Sequence, residues 1–192
     1  MAQDAVKYKM IVMGGSAGSL DAILKIVPVL PVRSGASFLI VIHRKNEPDS
    51  LLTELLSART IMPVKEVEDK EPILANHLYV APPDYHLLME NQHWFSLDSS
   101  EKIHYSRPSI DVTFESAAET FGAACIGILL SGANADGAEG LKKIKGHKGL
   151  TVVQDPATAD VQYMPQAAID RFAVDKVLSP DAIAGLVVTM IG

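Results

Sequence analysis

Apolar residues along this chain fall in short unbroken runs. Met10-Ile11-Val12-Met13, Phe38-Leu39-Ile40-Val41-Ile42 and Cys125-Ile126-Gly127-Ile128-Leu129-Leu130 have no polar side chain to turn toward water. Such runs predict strands covered on both faces, as in a parallel sheet. Residues 64–67, 78–81, 151–153 and 174–178 read as shorter strands. Between the strands the apolar spacing stretches to that of helices, over residues 20–30, 51–56, 112–121, 138–145 and 181–190. Residues 86–89 and 94–97, joined across Glu90-Asn91-Gln92, read as an antiparallel hairpin. Helices alternating with strands predict an α/β fold: a doubly wound, mostly parallel sheet with helices on both faces and an antiparallel hairpin. No repeat, low-complexity tract or interdomain linker interrupts the pattern, so residues 1–192 are expected to form one domain.

Three buried strands run directly into residues that carry chemistry. The first is followed by Gly14-Gly15-Ser16-Ala17-Gly18, a G-x-S-x-G pattern at a strand-to-helix turn. Such a turn lifts a serine hydroxyl off the sheet edge and aims the next helix's free N–H groups at the same point. The second strand ends at His43. The third is followed by Ser131-Gly132-Ala133-Asn134-Ala135-Asp136-Gly137. In an open parallel sheet, ligands gather outside the carboxyl ends of the strands, so Ser16, His43 and Asp136 can meet as nucleophile, general base and orienting carboxylate. Each has a plainer reading. Ser16 could cap a turn, His43 could end a strand, and Asp136 could be the N-cap of the helix over 138–145. The order Ser, His, Asp differs from the Ser, acid, His order of the α/β-hydrolases, which argues against that fold.

The remaining composition narrows the possibilities. The 192 residues are 48% hydrophobic and carry a net charge of −6, which supplies a large core and gives no general affinity for nucleic acid. No run is apolar and long enough to span a bilayer, and the N-terminus lacks a basic region before an apolar stretch, so a cytoplasmic location is expected. Cys125 sits in a strand and reads as a small buried hydrophobe. His77, His93, His104 and His147 show no metal-ligand spacing, and no metal or cofactor is called for. The glycine loop is neither G-x-G-x-x-G nor a P-loop, which leaves nucleotide binding weakly supported. Arg107 before Pro108 could orient a substrate or make a structural ion pair. The Arg44-Lys45 pair is a solvated basic pair or a contact for an acidic partner.

Taken together, the motifs resemble the catalytic domain of the CheB-type chemotaxis receptor methylesterases, from about Lys9 to the C-terminus. The resemblance rests on Gly15-Ser16-Ala17-Gly18, the strand ending in His43, and Leu78-Tyr79-Val80-Ala81-Pro82-Pro83-Asp84-Tyr85-His86. Arg107-Pro108-Ser109-Ile110-Asp111-Val112, the segments Leu130-Ser131-Gly132 and Asp136-Gly137-Ala138, and Met164-Pro165-Gln166-Ala167-Ala168 complete it. It implies that Ser16, His43 and Asp136 are the catalytic triad. The implied reaction is hydrolysis of glutamate γ-methyl esters on a cytoplasmic segment of methylated chemoreceptors, with deamidation of receptor glutamines as related acyl chemistry. Three departures alter the walls of the site. The family's Ser-Thr-Gly-Gly is Ser16-Ala17-Gly18-Ser19, its Met-Pro after the histidine is Arg44-Lys45, and its Gly-Met-Gly-x-Asp-Gly is Gly132-Ala133-Asn134-Ala135-Asp136-Gly137. Ala17, Ala133 and Arg107 are thus the candidates for oxyanion or substrate positioning.

Family members commonly carry an N-terminal receiver domain. Residues 1–9 cannot build one, so the expectation is a catalytic domain without a receiver, controlled if at all by a partner in trans. Two other readings stay open: a non-catalytic interaction module of the same fold, and a hydrolase of another small ester.

Overall fold

A computed structural model describes residues 7–44 and 51–192. Its centre is a sheet of seven parallel strands: β1 (Met10–Gly15), β2 (Ser37–Ile42), β3 (Val64–Glu66), β4 (Leu78–Val80), β7 (Cys125–Leu129), β8 (Leu150–Gln154) and β9 (Lys176–Leu178). A separate antiparallel ribbon is made by β5 (His86–Asn91) and β6 (Trp94–Asp98). The sheet order is β3-β4-β2-β1-β7-β8-β9. From β1 the chain adds β2 on one side, places β3 at that edge and β4 between the two, then returns beside β1 with β7 and winds outward through β8 and β9 on the other side. That reversal opens a crevice at the carboxyl ends of β1 and β7, the usual ligand position in such sheets.

Among the described residues the α-helices are α1 (Ser19–Ile26), α2 (Leu51–Ser57), α3 (Ile110–Phe121), α4 (Ala138–Gly146), α5 (Tyr163–Arg171) and α6 (Pro180–Ile191). They close both faces of the sheet, and the period-two alternation of strand side chains decides which residue goes where. Met10 and Val12 of β1 face a core with Ile110 and Phe114 of α3, Leu141 of α4, Met164 of α5 and Leu87 and Phe95 of the ribbon. Ile11 and Met13 face a second core with Ile23 of α1, Leu56 of α2 and Ile183 and Val187 of α6. Every residue of β1, β2 and β7 is buried, which is why these strands read as unbroken apolar runs. Cys125 is buried in β7, and burial pushes its thiol up to about 12.

Four local expectations are corrected. The helix expected over 20–30 stops at Ile26 and continues as a 3-10 turn, Val27–Val29, because Pro28 lacks an N–H and its ring opposes the α-helical path. The hairpin turn lies at Gln92-His93, since Asn91 still pairs with Trp94 after a bulge at Met89/Asn91. Helix α5 has no counterpart among the helices read from the apolar spacing; Pro165 stands in its first turn, where its missing N–H costs nothing. Asp136 is not the N-cap of α4. Gly137 is, at φ 98°, a conformation open to glycine at little cost.

Candidate active site

The carboxyl ends of β1 and β2 are locked in register. Gly15 pairs with Ile42, and the His43 N–H donates to the Gly15 carbonyl at 3.3 Å. Ser16 and His43 are therefore the next residues out on adjacent strands. On the other side of β1, the Leu130 N–H donates to Gly14 O at 2.8 Å and the Ser16 N–H to Ser131 O at 2.9 Å. The Ser131 hydroxyl donates to the Ala17 carbonyl at 2.7 Å. The serine loop is thus fastened to the loop after β7. Gly18 then turns the chain into α1 at φ 74°, and its side is occupied: a Cβ there would stand 2.6 Å from Asp160 Cβ and 2.9 Å from the Ser131 hydroxyl.

His43 and Asp136 meet directly. His43 Nε2 lies 2.7 Å from Asp136 Oδ2, with the carboxylate fully buried and the imidazole 12% exposed. Since Nε2 faces the carboxylate, Nδ1 is the ring nitrogen left for another partner. Ser16 is half-buried, and among the described residues its hydroxyl has no hydrogen-bond partner.

What holds Asp136 is a second helix. Its Oδ2 accepts the Ile110 N–H at 2.7 Å, and its Oδ1 accepts the Asp111 N–H at 2.9 Å and the Ser109 hydroxyl at 2.9 Å. A carboxylate from the β7–α4 loop therefore sits on the N-terminus of α3, where free N–H groups and the helix dipole favour negative charge. The Asn134 side chain accepts the Asp136 N–H at 3.0 Å and fixes the loop from behind. Burial alone would raise the Asp136 carboxyl. The hydrogen bonds from His43, Asp111 and Ile110 outweigh it and hold the group below its ordinary value.

Beside His43 a cleft of about 490 Å³ is lined by Arg44, Asp84, Lys102, Tyr105, Ser106 and Arg107. Arg107 faces this cleft and anchors its wall, donating from Nη1 to the carbonyls of Ser99 and Ser100 at 2.7 Å each. Arg44 is not a solvated cation: it pairs with Glu66 and donates to Ala81 O at 3.2 Å. Lys45 lies outside the described residues. Ala17 and Ala133 are both exposed at the site's rim, and the Ala17, Gly18 and Ala133 N–H groups have no acceptor among the described residues. His86 is structural, its Nδ1 accepting the Ser109 N–H at 3.1 Å and its Nε2 lying 2.9 Å from Glu101 O. Among the described residues no cluster of His, Cys, Asp and Glu could hold a metal ion.

Sequence reasoning passed over Ser109, Asp111, Lys102 and Tyr105. Ser109 and Asp111 lay inside a quoted motif, and their signal was an N-cap serine followed by an acid in the first turn. That pattern predicts the cap but not the carboxylate docked on it.

Comparison with known proteins gives one consistent picture. The family model for CheB methylesterase matches residues 11–187. A Leptospira interrogans relative is 45% identical over 185 residues, covering 96% of both chains. The Thermotoga maritima protein-glutamate methylesterase/protein-glutamine glutaminase is 34% identical over 177 residues, which is 91% of this chain and 52% of that one. The crystal structure of the Thermotoga maritima CheB methylesterase catalytic domain superposes with a TM-score of 0.91 at 32% identity, covering 97% of this chain and 100% of that one.

Proposed function

Because the chain belongs to the CheB methylesterase family, we propose that it is a serine hydrolase acting on methyl-esterified glutamate side chains of chemoreceptors. The observation that carries this reading is the 2.7 Å contact of His43 with the buried Asp136 beside the Ser16 turn. Asp136 fixes the imidazole with its Nε2–H toward the carboxylate, which leaves Nδ1 basic. Nδ1 takes the Ser16 proton as Oγ attacks the ester carbonyl. The developing oxyanion is met by backbone N–H groups of the serine loop, Ala17 and Gly18, and by that of Ala133. Collapse of the tetrahedral species breaks the acyl–oxygen bond. The imidazolium returns its proton to methanol, and water then releases glutamate from Ser16 by the same steps. A receptor glutamine enters the same cycle with ammonia as leaving group.

The substrate side chain reaches the serine through the cleft beside His43. Lys102 and Arg107 give that cleft a positive wall, suited to the cytoplasmic, acidic helix on which glutamate esters would lie. The chain acts as one catalytic domain, since its own helices cover both faces of the sheet. Among the described residues no helix is long and apolar enough to cross a membrane.

The test is methanol release from methylated chemoreceptor by the wild-type chain and by Ser16→Ala, beside hydrolysis of a small neutral ester. Release by wild type alone supports the reading. Turnover of the small ester without any methanol from receptor points to a different ester substrate. No turnover of either substrate points to an interaction module.

A further inference from the structure

Asp111 does for α4 what Asp136 does for α3. Its Oδ1 accepts the Gly140 N–H at 2.7 Å, as the N-terminus of α4 requires of an acceptor. Asp136 stands immediately before α4 and caps α3; Asp111 stands in the first turn of α3 and caps α4. The two carboxylates are exchanged between adjacent helix N-termini. The close packing that permits this is visible at Gly140, where a Cβ would lie 2.6 Å from the Asp111 carbonyl and 2.6 Å from Phe114 Cβ. We propose that Asp111 is a positioning residue of the hydrolytic site, clamping the start of α4 to α3 so that Asp136 stays on His43. The proposal rests on reading Ser16, His43 and Asp136 as a hydrolytic site.

The surroundings of Asp111 bear this out as a costly arrangement. It is half-buried, and its charged neighbours are mostly unhelpful: Asp136 repels it, His43 lies beyond Asp136, and among the described residues His104 at 3.5 Å is its cationic partner. Of the other charged groups on the two helices, Glu115 pairs with Lys143, Glu139 with Arg171 of α5 and Lys145 with Asp175, while Glu119 and Lys142 enter no ion pair among the described residues. Burial first, and the nearby Asp136 charge after it, push the Asp111 carboxyl up to about 6, against the Gly140 and Gly137 N–H groups and His104. In the folded chain this carboxyl keeps its proton to higher pH than in the unfolded chain. Between those two values the folded state binds more protons, so stability falls as pH rises.

The experiment compares the full wild-type chain with Asp111→Asn, which keeps an acceptor for the Gly140 N–H but removes the negative charge that draws the N-terminus of α4 against α3. A fluorophosphonate reports directly on Ser16: Oγ bonds to phosphorus, the P–F bond breaks, fluoride leaves, and the hydroxyl proton passes to His43. The limiting labelling rate is expected to fall about tenfold while the half-saturating probe concentration stays within about twofold. The thermal midpoint of Asp111→Asn at pH 7 is expected to equal or exceed that of wild type, and the advantage to vanish near pH 4. Equal labelling rates overturn the proposal. So does a slower variant that is also less stable at pH 7, or one that fails to fold, since either describes a merely structural cap. Absence of labelling in the wild-type chain overturns instead the hydrolytic reading itself.

Discussion

At the residue scale the decisive feature is how a fully buried carboxylate is kept charged. Besides the imidazole, three donors from the start of α3 meet Asp136 and stand in for water. Asp136→Asn is expected to leave the fold intact and to lower turnover by about three orders of magnitude, because the amide no longer fixes the tautomer. Steady-state rates on a small ester check this. The same carboxylate leaves a mark on stability. Its value in the folded chain is below that in the unfolded chain, so its contribution is present above the ordinary carboxylate value and is lost as pH falls through the lowered one. Thermal unfolding between pH 7 and pH 3 is expected to show wild type losing stability that Asp136→Asn does not lose. Ser109→Ala removes one donor to the carboxylate and is expected to cost about 1–3 kcal/mol, read by denaturant unfolding.

At the element scale the site exists because two helix starts interlock. Gly140→Ala is expected to destabilise by about 1–3 kcal/mol, since the added methyl must separate α3 from α4. The loss should reach activity as well as stability, because the wedge moves both caps. Denaturant unfolding combined with ester turnover on the same preparation checks both. This is also where the sequence stops being legible. Strands β1, β2 and β7 could be read from their apolar runs, and with them the sheet edge on which Ser16, His43 and Asp136 stand. The exchange of caps between α3 and α4 could not, because it joins residues 25 apart in the chain through a contact that neither helix's own pattern specifies. Helix α5 was hidden for a local reason, Pro165 in its first turn. Arg44 looked free in sequence because its partner Glu66 arrives from the far side of the β2–β4 pairing, on β3.

At the scale of the whole molecule, the winding of the sheet brings the chain back to β1 and leaves the crevice open beside it. The cleft next to His43 presents Lys102 and Arg107, while the protein as a whole carries a net charge of −6. On the proposed function, an acidic receptor helix is expected to be drawn to this face and repelled elsewhere. Lys102→Glu is expected to weaken turnover of methylated receptor and to reduce its sensitivity to salt, with hydrolysis of a small neutral ester unchanged. Rates at two ionic strengths on both substrates check it. Equal losses on both would place Lys102 in support of the wall rather than in the encounter.

The central claim is that Ser16 attacks an ester carbonyl and forms an acyl-enzyme. It is tested most directly by hydrolysing methylated chemoreceptor in water labelled with oxygen-18, with the wild-type chain and with Ser16→Ala, and weighing both products. The expected result is label in the receptor's glutamyl carboxylate, unlabelled methanol, and loss of conversion in Ser16→Ala. Label in the methanol, or conversion by Ser16→Ala at the wild-type rate, would contradict it.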